Sequence, residues 1–319
     1  MRRWRLLSAA CALALLLAVP IIATSGDGSG AVLSRFVADR VPVEPLAPAA
    51  AASGPRLLEA PGPAVPPAPP EPLTGLAAAA VQAAESAAAP ATELAVAVHD
   101  RATGETAVGS RGTEPYYTAS LSKVVVIVDM LDRRHLEGLA VSDADLDLVR
   151  RALGPSDDSA MNMLWTRFDG AGAAGRLSSR LGLEGTSAPR DPSQWGEMSV
   201  PAADTVRIWQ HILDEMPDTD RELLISAMAA APTVAGDGFD QAYGLLAPAV
   251  AGPEGPGAVA KQGWMCCFSG QYYLHSTGAV GAEQRFVVAL LTRVPRGPGW
   301  EAARQELNAI ATATVQALG

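Results

Sequence analysis

Ser120-Leu121-Ser122-Lys123, followed by Val124-Val125-Val126-Ile127-Val128, is the stretch from which the fold can be read. It holds one of only two lysines in 319 residues; the other is Lys261, and arginine supplies the remaining 22 of the 24 basic side chains. A chain that writes arginine almost everywhere keeps lysine where guanidinium cannot serve. An amine can lose its proton at an accessible pKa, and guanidinium effectively cannot. Ser120 and Lys123 stand three apart at a predicted helix start, so their side chains share one face, a turn apart. A serine hydroxyl is a weak nucleophile until a base takes its proton, and a desolvated lysine can do so. The valine-rich run is apolar on all sides, which predicts a helix buried in the core and a depressed pKa for Lys123.

Two further clusters complete a candidate site. Ser156-Asp157-Asp158 follows Gly154-Pro155 between two predicted helices, as a loop that can project toward Ser120. The same residues read as a helix N-cap, and both roles can hold at once. Lys261-Gln262-Gly263 sits on a predicted strand. A cation there can hold a substrate carboxylate or share a proton network with Ser156. Gly263 would let a ligand approach the strand backbone. The Trp264 amide is then placed to join that of Ser120 as an oxyanion hole.

Around these clusters, periodicity predicts helices at 76–88, 120–134, 143–153, 159–168, 173–181, 201–214, 221–230 and 300–318. Strands are predicted at 93–100, 105–108, 259–268, 271–280 and 285–293. Strands at both ends with a helical block between make this an α+β chain, and its five strands share one antiparallel sheet only if the chain ends meet.

In these motifs the chain resembles the serine β-lactamase and penicillin-binding protein superfamily, closest in layout to class A β-lactamases. The likeness covers about residues 75–319. It rests on Ser120-x-x-Lys123, on Ser156-Asp157-Asp158 with Met161-Asn162-Met163-Leu164, and on Lys261-Gln262-Gly263 with Arg285-Phe286-Val287-Val288-Ala289. It implies a β-lactamase/transpeptidase-like fold, a five-stranded sheet flanked by helices plus an all-helical subdomain. It also implies Ser120 as acylated nucleophile, Lys123 as base, Ser156 as proton shuttle to the leaving group and Lys261 as ligand of the substrate carboxylate. No cofactor or metal is implied.

The chain departs from that family in ways that bear on chemistry. The interval from Ser120 to Ser156 is short for class A. Asp158 stands where Asn is usual, and an ionised Asp accepts hydrogen bonds but cannot donate them. Its charge would also favour the ammonium form of Lys123. Gln262 replaces Thr or Ser. The E-x-x-L-N loop with which class A enzymes deacylate has no counterpart in 190–198, where only Asp191 and Glu197 offer carboxylates.

The rest of the chain sets the context. Residues 1–5 are basic, Leu6 to Ala23 is uncharged and apolar, and Ala23-Thr24-Ser25 offers a cleavage pattern: a signal peptide or signal anchor over 1–25. Cys11 lies inside that run rather than at its end, which argues against lipidation. Residues 26–72, rich in Ala, Pro, Gly and Ser, are expected to form a disordered tether to a domain at 73–319. A formal charge of −10 argues against nucleic acid or anionic lipid as partner of the folded part. Cys266-Cys267 are expected to be buried strand thiols, because adjacent Cα atoms lie about 3.8 Å apart across a trans peptide, below the usual disulfide span. His99, His135, His211 and His275 show no metal-binding spacing and no G-x-S-x-G is present, which excludes zincin and α/β-hydrolase readings.

The expectation is an exported or membrane-anchored, monomeric serine acyl-transfer enzyme, of the penicillin-binding (DD-peptidase) type or a weak β-lactamase. Its substrate would be a small molecule or peptidoglycan peptide, with Ser120, Lys123 and Ser156 catalytic and Asp158, Lys261, Gln262, Gly263 and Trp264 lining the substrate. The alternative is a catalytically impaired binding or scaffold protein of the cell envelope.

Overall fold

The computed structural model describes residues 74–319 apart from 253, 254 and 256. The chain divides into two units, residues 1–66 and 67–319, and all described residues fall in the second. The expected signal segment with Cys11, and the tether at 26–72, lie outside the described residues.

Helix α1 (Leu76–Ala87) leads into strands β1 (Glu93–Asp100) and β2 (Glu105–Val108). A short strand β3 (Tyr116–Tyr117) and a 3-10 turn (Ala119–Leu121) introduce helix α2 (Ser122–Glu137). The helical block continues with α3 (Asp143–Leu153), α4 (Asp158–Arg167) and α5 (Gly170–Leu181). Strand β4 (Ser199–Val200) precedes α6 (Ala202–Gln210), which runs on as a π-helical turn (His211–Glu215), then α7 (Asp218–Ala229) and the single turn α8 (Pro248–Ala251). Strands β5 (Ala258–Phe268), β6 (Gln271–Val280) and β7 (Phe286–Pro295) and helix α9 (Gly299–Gln316) complete the chain.

The five long strands form one antiparallel sheet in the order β2-β1-β7-β6-β5. The chain ends do meet: β1 pairs with β7 from Glu93–Arg293 to Asp100–Phe286, and α1 packs on α9. Alternation in β1 suggests one buried face, yet Leu94 to Asp100 are all buried, because helices cover both sides. Leu94, Val96 and Val98 face α1 and α9, where Leu307 and Ile310 close the layer. Ala95 and Ala97 face the helical block, the small side chains leaving room for α2 and α6.

Helix α2 is the axis of that block. Ser122 to Asp132 are buried without interruption, as its all-round apolar sequence requires. A side chain such as Ile127, fully buried, contributes about 2–3 kcal/mol by leaving water. The acidic residues of α2 are buried with partners: Asp129 meets Arg176 at 2.7 Å and Asp132 meets Arg180 at 2.8 Å, both from α5. Gly138, at φ 71, ends the helix in the left-handed conformation that a Cβ would disfavour.

The cysteines correct the expectation. Cys266 and Cys267 are bonded to one another near the tip of the β5–β6 hairpin, with Cys266 exposed, and neither is a buried thiol. The trans geometry assumed for them does not hold: their peptide is cis and their Cα atoms are 3.1 Å apart.

Candidate active site

Three element ends meet at the edge of β5 and bring the three motifs together. Ser120 lies in the 3-10 turn that precedes α2, so the helix begins two residues later than its sequence suggests. Tyr117 to Ser120 are held against the sheet from two directions. β3 pairs with β4, Tyr116 opposite Val200, and the Tyr117 carbonyl accepts from His275 Nε2 at 2.8 Å. His275 Nδ1 in turn accepts from the Thr292 amide at 3.1 Å, which fixes the neutral tautomer. Complete burial lowers its pKa to about 4.

Gly263 is the counterpart of this turn on β5. A Cβ there would fall 2.8 Å from the Thr118 carbonyl and 3.2 Å from Leu121 Cγ. The glycine therefore admits the chain's own Ser120 turn; the close approach expected for a ligand is taken by Thr118 and Leu121. Its carbonyl accepts from the buried Tyr243 hydroxyl at 3.0 Å.

Lys123 is fully buried, and its Nζ donates to Ser120 Oγ at 2.8 Å, Ser156 carbonyl at 2.9 Å, Ser156 Oγ at 3.1 Å and Asp158 Oδ1 at 2.7 Å. Lys261 reaches the same hydroxyl from the other side, at 2.8 Å, and also donates to the Gln262 carbonyl at 2.8 Å. Ser156 thus bridges the two lysines. It can do so because its backbone is left-handed, at φ 57, just before Asp157 caps α4 by accepting from the Ser159 and Ala160 amides. The capping reading of this loop holds at Asp157, and the adjacent Ser156 faces both lysines.

Burial shifts both lysines toward the neutral amine. Desolvation pulls the Lys123 ammonium below its ordinary range, and the Asp158 carboxylate opposes that pull without cancelling it. Lys261 is driven well below its ordinary value, by complete burial first and by the Lys123 charge second. The resemblance assigns Lys261 to a substrate carboxylate, but here it is 1% exposed and engaged with Ser156 and its own strand. Gln262 points away from the other motif residues: its amide donates to the carbonyls of Gln241 and Tyr243. Alternation along β5 separates it from Lys261 and Gly263, so its side chain is not a wall of the site.

Above the lysines opens a cleft of about 280 Å³, lined by Ser120, Asp158, Trp195, Asp237, Trp264 and Met265 among others. Three of these escaped the sequence reading. The Trp195 ring centroid stands 4.9 Å from Lys123 Nζ, and its indole donates to Asn162 Oδ1 at 2.8 Å. Asp237 accepts from Trp264 Nε1 at 3.0 Å and from the Phe239 amide at 2.9 Å, and Phe239 stacks on Trp264. Neither Asp191 nor Glu197 lines the cleft; Asp191 is exposed and accepts from the Ser193 amide. A larger groove of about 700 Å³ between α3 and α4 is lined by Asn162 and Met163 but by none of Ser120, Lys123, Ser156, Asp158 and Lys261.

The sheet order and the helical block match a known architecture. The chain has the fold of the serine β-lactamase and penicillin-binding protein superfamily. A class A β-lactamase from Mycobacterium abscessus superposes with a TM-score of 0.56, at 17% identity, over 76% of this chain and 99% of that one. A β-lactamase from Chitinophaga pinensis gives 0.58 at 14% identity, over 77% of this chain and 100% of that one. PBP-A gives 0.57 at 17% identity, over 78% and 98%. In sequence, the chain is 32% identical over 212 residues to LppW of Mycobacterium tuberculosis and Mycobacterium bovis, a protein named as a lipoprotein. That match spans 66% of this chain and 66% of the relative's length. No family model matches the chain.

Among the described residues, no group of three or more His, Cys, Asp or Glu is placed to hold a metal ion. Nor is any helix among them long and apolar enough to cross a membrane.

Proposed function

We propose that the protein is an exported serine acyl-transfer enzyme of the penicillin-binding type that forms an acyl-enzyme on Ser120. The observation that carries this is the buried Lys123 amine 2.8 Å from Ser120 Oγ. Lys123 takes the Ser120 proton as Oγ attacks the acyl carbon. The oxyanion develops toward the amides of Ser120 and Trp264, two residues that line one cleft. The leaving group then departs with its bonding electron pair and takes a proton from Ser156 Oγ, which is resupplied by the lysines on either side of it. The substrate is an amide or ester of the cell envelope with a D-Ala-type acyl group, and β-lactam acylation is a slow side reaction.

Hydrolysis of the acyl-enzyme is slow in this reading. The segment 191–198 brings no carboxylate to the cleft, and the half-buried Trp195 ring covers Lys123 where a hydrolytic water would need access. Export follows from the basic and apolar residues 1–23, and the name of the LppW relatives supports a membrane-attached location outside the cytoplasm. A second reading, a binding protein of this fold without turnover, is favoured by one contact: Asp158 at 2.7 Å from Lys123, where its charge works against the free amine.

Intact mass after long exposure to excess benzylpenicillin, beside Ser120→Ala, separates the two. An adduct on the wild type alone, released slowly, is the expected result. No adduct on either protein would overturn the enzymatic reading in favour of the binding protein.

A further inference from the structure

We propose that the cleft selects acyl donors whose leaving group carries a cation, and discriminates against those whose leaving group carries a carboxylate. The inference rests on Ser120 being the acylated nucleophile. Its basis is the inventory of charge that a substrate would meet. Among the described residues lining the cleft, the charged side chains are Asp158 and Asp237, and both are exposed carboxylates. The two lysines beneath offer no anion site: Lys261 is 1% exposed with its amine on Ser156 and the Gln262 carbonyl, and Lys123 is fully buried. Gln262, where a hydroxyl would help to hold a carboxylate, is turned to the carbonyls of Gln241 and Tyr243.

Asp237 is fixed in place and lies on the leaving-group side. Its carboxylate is held by the Trp264 indole and the Phe239 amide. The preceding residue, Gly236, donates to the Pro155 carbonyl at 2.6 Å, which sets the loop beside Ser156, the proton donor to the leaving group. The Trp195 and Trp264 rings add π-faces, which attract cations. A leaving group bearing an ammonium would meet two carboxylates and two indoles there; one bearing a carboxylate would meet like charge with no exposed cation to offset it.

Three thioesters of one acyl group, N-benzoyl-D-alanine, test this at low ionic strength. Their leaving thiols are thiocholine (a permanent cation), 2-mercaptoacetamide (neutral) and 2-mercaptoacetate (an anion). In each, the Ser120 Oγ–C bond forms as the C–S bond breaks, and the sulfur leaves with the bonding pair, so released thiol counts acylation. After normalisation to each ester's hydroxide hydrolysis, the thiocholine ester should acylate at least ~10-fold faster than the mercaptoacetate ester, with the amide between them. Asp237→Asn, which keeps an acceptor for the Phe239 amide on Oδ1 and gives up the one for Trp264 on Oδ2, should shrink that ratio to about threefold or less. Equal or faster acylation by the anionic ester, or a ratio unchanged in Asp237→Asn, overturns this inference while leaving Ser120 as nucleophile. No thiol above the Ser120→Ala background from any ester overturns the acyl-transfer reading and this inference with it.

Discussion

The floor and the rim of the cleft are built by different means. On the floor, Ser120, Lys123, Ser156 and Lys261 are all buried, come from the ends of elements anchored in the core, and form one hydrogen-bonded chain. On the rim, Asp158, Trp195, Asp237 and Trp264 are exposed or half-buried; Trp195 opens a single 3-10 turn (Trp195–Glu197) between loops, and Asp237 belongs to a loop. In the proposed reading the floor supplies the nucleophile and base, and the rim biases the protonation of Lys123 and the choice of substrate. Variants should therefore fall into two classes, and each outcome below either breaks that division or sharpens it.

The largest effect belongs to the floor. Lys123→Met keeps the length and bulk of the side chain but removes the base, and acylation of Ser120 should fall by about a thousandfold in stopped or quenched mass measurements. A loss below tenfold would show that another group takes the proton.

The next effect lies under the floor, at the histidine that ties Tyr117 to the sheet. His275 has a folded pKa of about 4 against 6.5, so between those values the unfolded chain binds more protons and stability falls as pH falls. The contribution is whole above pH 6.5, and about 3 kcal/mol is lost by pH 4. His211 acts oppositely: its hydrogen bonds to Asp132 and Glu215 outweigh burial and raise its pKa. Its contribution is whole below 6.5 and fades as pH rises through the raised value. Urea unfolding across pH 4–9 should thus show maximal stability near pH 6.5. A profile that stays flat from pH 7 to pH 4.5 would remove the His275 account.

The smallest effects belong to the rim and come as a pair of opposite sign. Trp195→Ala opens Lys123 to water, raises its pKa and should move the rise of acylation rate with pH to higher pH by about one unit. Asp158→Asn removes the charge that favours the ammonium, and the same limb should move down by about one unit. If either variant abolished acylation as Lys123→Met does, floor and rim would not be separable. Shifts in the same direction for both would mean that burial and Asp158 do not oppose each other at Lys123.

The same division marks what could be read from the sequence. The elements around the floor were legible because packing there obeys periodicity: α3 and β6 match the expected 143–153 and 271–280, and β5 and α2 differ from expectation by one to three residues at their ends. Two lysines in a chain of arginines marked two corners of the floor, and a serine before a helix start marked the third. The rim was not legible, because a loop side chain is positioned by contacts distant in sequence. Trp195 is held by Asn162, and Asp237 by Trp264, with no local pattern to announce either. The tryptophan in 190–198 was the one available signal, since a large ring in a polar loop needs a surface to cover. Gln262 and Gly263 were placed on the right strand but given the wrong neighbours, since motif spacing does not reveal what occupies the space beside a strand.

The pairing of β1 with β7 has a consequence in time as well as in space. Glu93 finds its partner only at Arg293, so the centre of the sheet cannot close until nearly the whole domain has been made. Until then the β1–β2 hairpin carries an open edge, and β5, which bears Lys261, has only the β6 hairpin to hold it. Loop closure across such a separation makes folding slow compared with helical bundles of similar size. The helical block can organise early around α2, carrying Ser120 and Lys123, whereas the second lysine arrives with the late strands. Assembly of the cluster then waits on the late strands, and a chain lacking them carries Ser120 and Lys123 without Lys261 beside Ser156.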